Sequence, residues 1–307
     1  MAETVAGSLR GKLAMLGYLR GQGTALRRVM QQVGANVLHA HWWFPAGLAA
    51  TRPFIVTMHG SDVRLAVQKR WAHPLFRGVL RRASAVTTVS RWLARQAQEI
   101  MPVAEPIVAP MPVNTALFGP TPNTRNSDEI LFVGRLNEQK GIRFLLQALA
   151  VMRRPVKLTV IGEGPDGPAL RQQAAQLGIA ERVSWSGNVS RDALAQLYQR
   201  ATVLAMPSVN EGLGLVAVEA QLCGTPVVAF ASGGAPDVIA DGQSGLLVPP
   251  KDIAALAAAL DRIIADRNLQ NSLGAMGRVQ ALMNFGPESV AARYAAIYRT
   301  VLDNAAA

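Results

Sequence analysis

A chain of 307 residues is longer than one ordinary domain and suits two domains of roughly 100–200 residues each. Half of the residues are hydrophobic and 17% are charged, which is untypical of intrinsic disorder, and the single cysteine, Cys223, excludes an internal disulfide and a cysteine-based zinc site. The net charge of +11 lies almost wholly in the first part: residues 1–120 hold 14 Lys and Arg against 4 Asp and Glu, and residues 121–307 hold 17 against 16.

The N-terminal part is predicted to combine helices with short strands. Residues 8–32 show a basic amphipathic pattern interrupted by three glycines. Apolar runs bounded by polar turns predict buried strands within 37–44, 53–62 and 84–90, with helices at 74–82 and 91–99. Residues 105–128 are proline-rich and polar, and we interpret them as a domain boundary.

Beyond this boundary, apolar runs and helical patterns alternate along the chain. Strands are predicted at 130–134, 157–162, 182–187, 202–208 and 226–231, and helices near 141–152, 167–177, 191–200, 213–222, 252–265 and 287–303. This alternation predicts a parallel sheet with helices on both faces. In such sheets ligands bind beyond the carboxyl ends of the strands.

Two cations flank the loop after the first of these strands. Arg135 follows Gly134 directly, and Lys140 opens the next helix. Glycine lets the backbone approach a ligand closely, and cations on both sides of a loop can bind a diphosphate. This fragment alone is equally consistent with a common Gly-Arg turn beside a solvated lysine. The next turn brackets an acid between Gly162 and Gly164, which by itself favours a tight turn.

The most specific pattern is a Glu-Gly-Leu-Gly turn that opens a helix at Glu211. Free N–H groups at a helix start, made accessible by glycine, can bind an anion or a sugar hydroxyl. Glu219 lies eight residues further on, about two turns into the helix and broadly on the same side. A carboxylate among apolar neighbours needs hydrogen bonds, and a ribose or sugar diol supplies two donors. Two merely exposed glutamates would fit those neighbours poorly.

Together these segments resemble glycosyltransferase family 4, whose members are retaining enzymes with the GT-B fold. The resemblance rests on GRL and KG within 134–141, GEGP at 162–165, PSVNEGLGLVAVEAQLCGTPVVA at 207–229, GGAPDVI at 233–239 and DGQSGLLVPP at 241–250. It extends over residues 128–303. It implies an α/β protein with two Rossmann-like domains facing a cleft, the N-terminal one reduced.

The resemblance also implies a role for each site residue. Arg135 and Lys140 would hold the diphosphate of a sugar nucleotide, Glu219 its ribose, and Glu211 with the following amides the transferred sugar. The implied donor-binding residues are Gly134, Gly162, Gly164, Gly212, Leu213, Gly214, Leu215 and Glu219. The implied catalytic residues are Glu211, Lys140, Arg135 and His59.

The N-terminal segments HAHWWFPAG at 39–47 and TMHGSD at 57–62 resemble the acceptor-side motifs of the family. By position, His59 would reach the donor sugar or phosphate, while His41 and Asp62 would face the acceptor. About 36 residues precede the His39–His41 strand, so we expect a shortened acceptor-side domain over 1–120. A donor-binding domain over 121–286 and a helix over 287–307 that crosses back to the first domain complete the expected organisation.

No metal is expected in the site. The two alternating histidines lack a third ligand nearby, and no Asp-x-Asp motif occurs in the chain. We therefore expect a metal-independent hexosyltransferase that needs no cofactor, with the nucleotide sugar as its donor substrate. The anomeric configuration would be retained by same-face attack, in which the departing phosphate oxygen takes the proton of the acceptor hydroxyl.

The basic first domain predicts affinity for phosphates or for an anionic membrane surface, which would suit a lipid-linked acceptor. Nucleic acid is not expected, because no recognition helix or stacking platform accompanies the charge. The first residues lack a signal-peptide core and no stretch suits a membrane span, so we expect a cytoplasmic protein, with peripheral association with the inner membrane face left open. The alternatives are a non-catalytic nucleotide-sugar-binding protein or subunit, and another enzyme on this fold such as an epimerase or a phosphorylase.

Overall fold

The computed structural model describes residues 9–51, 53–121 and 128–306. The chain divides into two compact units. The first unit comprises Met1–Ala109 and Ala292–Ala307, and the second comprises Pro110–Ala291. The first eight residues and residues 122–127 of the predicted boundary segment lie outside the described part.

The first unit is built on a parallel sheet whose strands are adjacent in chain order. Its strands are β1 (Leu38–His41), β2 (Phe54–Met58), β3 (Ala85–Thr88) and β4 (Ile107–Val108). Its helices are α1 (Leu9–Val33), α2 (Ser61–Gln68), α3 (His73–Arg82) and α4 (Arg91–Ile100). All five residues of β2 are buried, as expected for an inner strand of a parallel sheet.

Two predictions for this unit were wrong in extent. The strand predicted over 37–44 ends at His41, because Trp42 has a φ of 73° and a short helical turn follows at Trp43–Gly47. The buried Trp43 indole donates a hydrogen bond to the carbonyl oxygen of Asp62 (2.6 Å), which fixes this turn. The strand predicted over 53–62 ends at Met58, and α2 begins at Ser61. The three glycines expected to interrupt the first helix lie within the continuous α1.

The second unit contains a larger parallel sheet with the order β10-β9-β8-β5-β6-β7. Its strands are β5 (Glu129–Val133), β6 (Lys157–Ile161), β7 (Val183–Trp185), β8 (Val203–Met206), β9 (Val227–Phe230) and β10 (Leu246–Val248). Its helices are α5 (Ile142–Val151), α6 (Gly167–Gln176), α7 (Arg191–Arg200), α8 (Leu215–Leu222), α9 (Ala235–Val238), α10 (Ile253–Ala265) and α11 (Arg267–Phe285).

The order of the strands places a topological switch point between β5 and β8. The chain runs outward from β5 to β6 and β7, then returns to the other side of β5 with β8. Ligands of open parallel sheets bind at such a point, in the crevice beyond the carboxyl ends of the two strands. The loops that begin at Gly134 and Pro207 lie at this crevice.

The last helix, α12 (Pro287–Ala306), begins in the second unit and ends in the first. Its residues Ile297 and Val301 share a hydrophobic cluster with Ile55 and Ala109, so the end of this helix completes the core of the first unit. Among the described residues, no helix combines the length and apolarity needed to cross a bilayer. The predicted α/β class with parallel sheets is confirmed for both units.

Candidate functional site

The loops after β5 and β8 hold one another at the switch point. The backbone N–H of Val209 donates to the carbonyl oxygen of Gln139 (2.8 Å), and the Gln139 side chain donates to the carbonyl oxygen of Asn210 (3.1 Å). Gly141 has a φ of 67°, and a Cβ atom there would lie 1.9 Å from the carbonyl oxygen of Pro207. Only glycine fits so close an approach, which keeps the neighbouring Lys140 against the β8 loop.

Lys140 and Glu211, both predicted from the sequence, meet in this crevice. The Lys140 Nζ atom lies 2.5 Å from Glu211 Oε2, and the two side chains are 22% and 14% exposed. The backbone N–H of Lys140 donates to the side chain of Asn137 (3.2 Å), which caps the short turn before it. The structure therefore brings the cation and the acid together on rigid strand-end loops.

The turn after β9 secures the backbone of Glu211 from the other side. Gly234 donates its N–H to the carbonyl oxygen of Glu211 (2.8 Å), and Asn210 donates to the Ser232 hydroxyl (2.9 Å). A Cβ atom on Gly233 would lie 2.2 Å from the same carbonyl oxygen. The segment GGAPDVI at 233–239 belongs to the family resemblance, but its role in holding Glu211 was not predicted. Its paired glycines after a strand are the only local signal that it carries.

The predicted glycines after β5 and β6 are closely packed, and two of them, Gly134 and Gly162, line a cavity. A Cβ atom on Gly162 would lie 2.2 Å from the carbonyl oxygen of Gly134, and one on Gly164 would lie 2.2 Å from that of Leu136. The cavity has a volume of about 440 Å³, within the range of small-molecule sites. Its lining includes Gly134, Arg135, Gly162, Glu163, Asn188 and Val189.

Glu219 lies on α8 with its side chain only 14% exposed. The Tyr198 hydroxyl donates to its Oε2 atom (3.0 Å), and the Arg191 guanidinium lies 3.6 Å from Oε1. Burial raises the pKa of Glu219, while the hydrogen bond from Tyr198 and the charge of Arg191 lower it. Sequence reasoning found Glu219 and missed both partners, which lie seven residues apart on α7.

The glycine-containing turn before α8 is buried. Leu213 is 5% exposed, and Gly214 has a φ of 96° with Leu215 opening the helix behind it. A Cβ atom on Gly214 would lie 3.0 Å from the sulfur of Met206, so the turn packs tightly on the end of β8. Gly212 continues into this turn from Glu211, and its carbonyl oxygen would lie 2.4 Å from a Cβ atom on Gly234.

Three histidines form a separate polar cluster in the first unit. His41 Nδ1 and His59 Nε2 share a hydrogen bond (2.8 Å), and the His39 ring stacks on His41 with centroids 4.6 Å apart. His39 also bonds to the Tyr298 hydroxyl (2.7 Å) and to the Thr57 hydroxyl (2.6 Å). Burial, assisted by the neighbouring histidines, lowers the pKa of His39 to about 4, and burial likewise lowers that of His59.

Asp62 orders the backbone beside this cluster. Its carboxylate accepts hydrogen bonds from the N–H groups of His59 (3.0 Å) and Gly60 (2.9 Å), and at 3.4 Å from that of Trp43. The residue is only 5% exposed. The structure thus places the predicted His41, His59 and Asp62 together. In the described part of the chain, no three His, Cys, Asp or Glu residues are grouped so as to hold a metal ion.

Two family models match the chain. The model for glycosyl transferases group 1 matches residues 115–280, and the model for glycosyltransferase family 4 matches residues 4–117. The chain belongs to the family 4 glycosyltransferases.

Related sequences are named for sugar transfer. The GDP-mannose-dependent alpha-(1-6)-phosphatidylinositol monomannoside mannosyltransferase of Mycolicibacterium smegmatis is 31% identical, over 89% of this chain and 79% of that protein. The D-inositol 3-phosphate glycosyltransferase of Frankia alni is 34% identical, over 88% of this chain and 75% of that protein. The non-catalytic alternative is therefore not favoured.

Solved structures share the fold. Sucrose-phosphate synthase from Thermosynechococcus elongatus has a TM-score of 0.82 at 27% identity, covering 92% of this chain and 77% of that one. Anabaena Alr3699/HepE in complex with UDP-glucose has a TM-score of 0.76 at 24% identity, covering 89% and 81%. The predicted family, the GT-B fold and the nucleotide-sugar-dependent glycosyltransferase activity are confirmed.

Proposed function

We propose that the crevice between β5 and β8 binds a nucleotide-diphosphate sugar and that the enzyme transfers the sugar to an acceptor hydroxyl with retention. The observation that carries this proposal is the pair of Lys140 and Glu211 at the switch point, with Glu219 as the fifth residue of α8, the helix that follows the Glu211 turn. Binding such a donor requires a cation that contacts its phosphates and carboxylates that accept hydrogen bonds from its hydroxyl groups.

The residue roles follow from their positions around the crevice. Arg135 and Lys140 bind the diphosphate and stabilise the negative charge that develops as it departs. Glu211 and the turn 212–215 contact the transferred sugar. Gly134 and Gly162 give the nucleotide close access to the backbone at the cavity, and Gly164 contributes to donor binding by keeping the adjoining turn closely packed. Glu219 accepts hydrogen bonds from the ribose.

The anomeric configuration is retained if the acceptor hydroxyl attacks the anomeric carbon on the same face of the sugar from which the diphosphate departs. The bond between the anomeric carbon and the phosphate oxygen breaks, and the bond to the acceptor oxygen forms on the same side. The departing phosphate oxygen takes the acceptor proton, so no protein base is required for this step. Two protein cations at the diphosphate take over the role that a metal ion has in other transferases, which supports metal-independent transfer.

The first unit is proposed as the acceptor-side domain. We propose His59 as a catalytic residue and His41 as an acceptor-side residue. Their rings share a hydrogen bond, which holds His41 Nδ1 and His59 Nε2 in defined positions. Asp62 would act on that side by fixing the backbone of His59 and Gly60.

The acceptor is proposed to carry phosphate or lipid, because the excess positive charge of the chain lies in residues 1–120. One relative is named for phosphatidylinositol monomannoside and another for D-inositol 3-phosphate, which supports this class. We further propose that the protein works at the cytoplasmic face of an anionic membrane.

A thermal-shift panel with UDP-, GDP- and ADP-sugars tests donor binding. One nucleotide class is expected to raise the melting temperature, and Glu219→Ala is expected to abolish the rise, because ligand that binds only the folded state stabilises it. A Lys140→Ala variant should keep its fold and lose sugar transfer. If both variants match the wild type in binding and turnover, the proposed site is wrong.

A further inference from the structure

Tyr198 is a buried hydroxyl donor directed at a single carboxylate. Its side chain is fully buried, and its hydroxyl lies 3.0 Å from Glu219 Oε2. Its ring packs edge-on against Phe118 with centroids 5.9 Å apart. Its backbone carbonyl accepts a hydrogen bond from the Thr225 hydroxyl (2.5 Å). The burial of the ring and its contact with Phe118 restrict the phenol, and the hydroxyl is directed at Glu219.

Arg191 contacts the other oxygen of the same carboxylate from the same helix. Its guanidinium lies 3.6 Å from Glu219 Oε1 and 5.7 Å from the centre of the Phe118 ring. Residues seven apart on a helix lie on one face, two turns from each other. One face of α7 therefore engages both oxygens of Glu219. The tyrosine contact is the more constrained of the two, because the Arg191 side chain is 67% exposed.

The hydroxyl of Tyr198 remains a donor throughout the working pH range. Burial, followed by the nearby Glu219 charge, raises the pKa of Tyr198 well above its usual value. A phenol that does not ionise donates one hydrogen bond, and this bond favours the charged form of the carboxylate that accepts it. The same carboxylate is disfavoured in its charged form by burial. The tyrosine thus opposes the effect of burial on Glu219.

We propose that Tyr198 is a positioning residue for ribose recognition, which holds the Glu219 carboxylate in a fixed rotamer with its free lone pairs available to the ribose diol. This inference rests on the proposed role of Glu219 in donor binding. Arg191 assists from solvent, and Phe118 aligns both side chains. Tyr198 acts only through Glu219 and makes no contact with the reacting atoms.

The test compares nucleotides with and without ribose hydroxyl groups. Calorimetric dissociation constants are measured for UDP, GDP and ADP and for their 2′,3′-dideoxy forms, with the wild type and Tyr198→Phe. For the nucleotide that binds, the substitution is expected to weaken ribonucleotide binding roughly 5- to 20-fold. This is less than the roughly 10- to 150-fold loss of a hydrogen bond made directly to a charged group, because the Tyr198–Glu219 bond forms with or without nucleotide. Binding of the dideoxy form should change less than about twofold, because it makes no use of the Glu219 oxygens.

The pH dependence gives a second readout. Removing the Tyr198 hydroxyl removes a contribution that lowers the pKa of Glu219. As pH is lowered from 8 to 5, ribonucleotide binding by Tyr198→Phe is expected to decline at a higher pH than binding by the wild type. Tyr294→Phe is the matched control, because it removes a tyrosine hydroxyl that donates to a backbone carbonyl in the first unit.

The outcomes separate this inference from the proposed function. If Tyr198→Phe weakens ribose and dideoxy forms equally, its role is structural and the inference falls. If Glu219→Gln removes the preference for ribose and Tyr198→Phe keeps it, only the positioning role is wrong. If Glu219→Gln also keeps that preference, the ribose assignment itself is wrong and both proposals fall.

Discussion

Gly141 shows how much of the candidate site depends on a single missing side chain. Its φ of 67° and the 1.9 Å approach of the Pro207 carbonyl oxygen to the position of a Cβ atom are two separate obstacles to any other residue. The first is a conformational cost of about 1–2 kcal/mol. The second forces backbone to move on the loop that carries Lys140. Stability and the placement of the cation are therefore coupled at this position.

Gly141→Ala is expected to lower the free energy of unfolding by about 2–4 kcal/mol and to reduce sugar transfer, because both loops must shift. Urea unfolding and a transfer assay measure the two effects. Gly178→Ala is the matched control, since Gly178 has a φ of 68° with no atom within 4 Å of a Cβ position. Equal losses in the two variants would show that the contact with Pro207 has no separate effect.

The sequence predicted the charged groups of the site but not the residues that hold them. Lys140, Glu211 and Glu219 are recognisable because each stands in a motif that resembles family 4, and such motifs are read from the local sequence. Tyr198 and Arg191 matter only because α7 lies beside α8, and no spacing along the chain encodes that neighbour. A tyrosine near the end of the amphipathic helix RDALAQLYQR was the available signal, and it fits an ordinary core residue equally well.

Among the elements, helix α1 carries both basic and apolar side chains, and the sequence pattern alone does not show which of them are exposed. Leu13 and Leu16 are 60% and 51% exposed, and Arg20 and Arg27 are exposed on the same helix. Spacings of three, four and seven residues place these four side chains on one face. A face with exposed leucines beside arginines is typical of helices that lie at an anionic membrane surface.

Charge reversal on this face tests the membrane proposal. Arg20→Glu with Arg27→Glu is expected to weaken sedimentation with phosphatidylglycerol-containing vesicles at least about 10-fold, because each basic residue near the surface contributes about 1 kcal/mol. Arg153→Glu with Arg154→Glu makes the same change of charge in the second unit. The proposal fails if this second pair loses as much binding, or if the wild type binds duplex DNA and not the vesicles.

Element prediction succeeded where burial pattern and length agree. The strands of the second unit are short apolar runs between turns. Strands β6 to β9 lie within the predicted ranges, β5 begins one residue before its range, and β10 was not predicted. Helix α11 was missed because its polar residues and glycines obscure the apolar period. Its Gly277 approaches Gln221 and Ser244, where a Cβ atom would lie 3.1–3.2 Å from their atoms. A glycine is needed there because segments distant in the chain pack closely against it, and the neighbouring sequence does not indicate this contact.

For the whole molecule, we predict from the histidine cluster that the free energy of unfolding falls at acidic pH. The pKa of His39 is lowered from 6.5 to about 4 in the folded state, so the unfolded chain binds a proton more readily. Stability from this residue is complete above pH 6.5 and declines as the pH falls toward 4. We expect a loss of about 1–2 kcal/mol at pH 5 after allowance for partial exposure of the ring.

Urea unfolding at pH 7 and pH 5, followed by tryptophan fluorescence, measures this loss. Four of the five tryptophans lie in the first unit, so the signal reports on the cluster's own unit. His39→Phe is expected to be less stable at pH 7 and to depend less on pH than the wild type. His73→Asn controls for the removal of a histidine outside the cluster. An unchanged difference between the two pH values in His39→Phe would contradict the prediction.

One unit is a continuous segment of the chain and the other is not, and this difference sets an order for their folding. The second unit is one continuous segment, Pro110–Ala291, whereas the first joins Met1–Ala109 to Ala292–Ala307. The second unit therefore needs no part of the chain beyond Ala291 in order to fold. The earlier segment must wait, with Ile55 and Ala109 lacking their partners, until Ile297 and Val301 arrive on α12. A protease that cuts α12 before Ile297 would therefore leave the second unit whole and remove two residues from the core of the first.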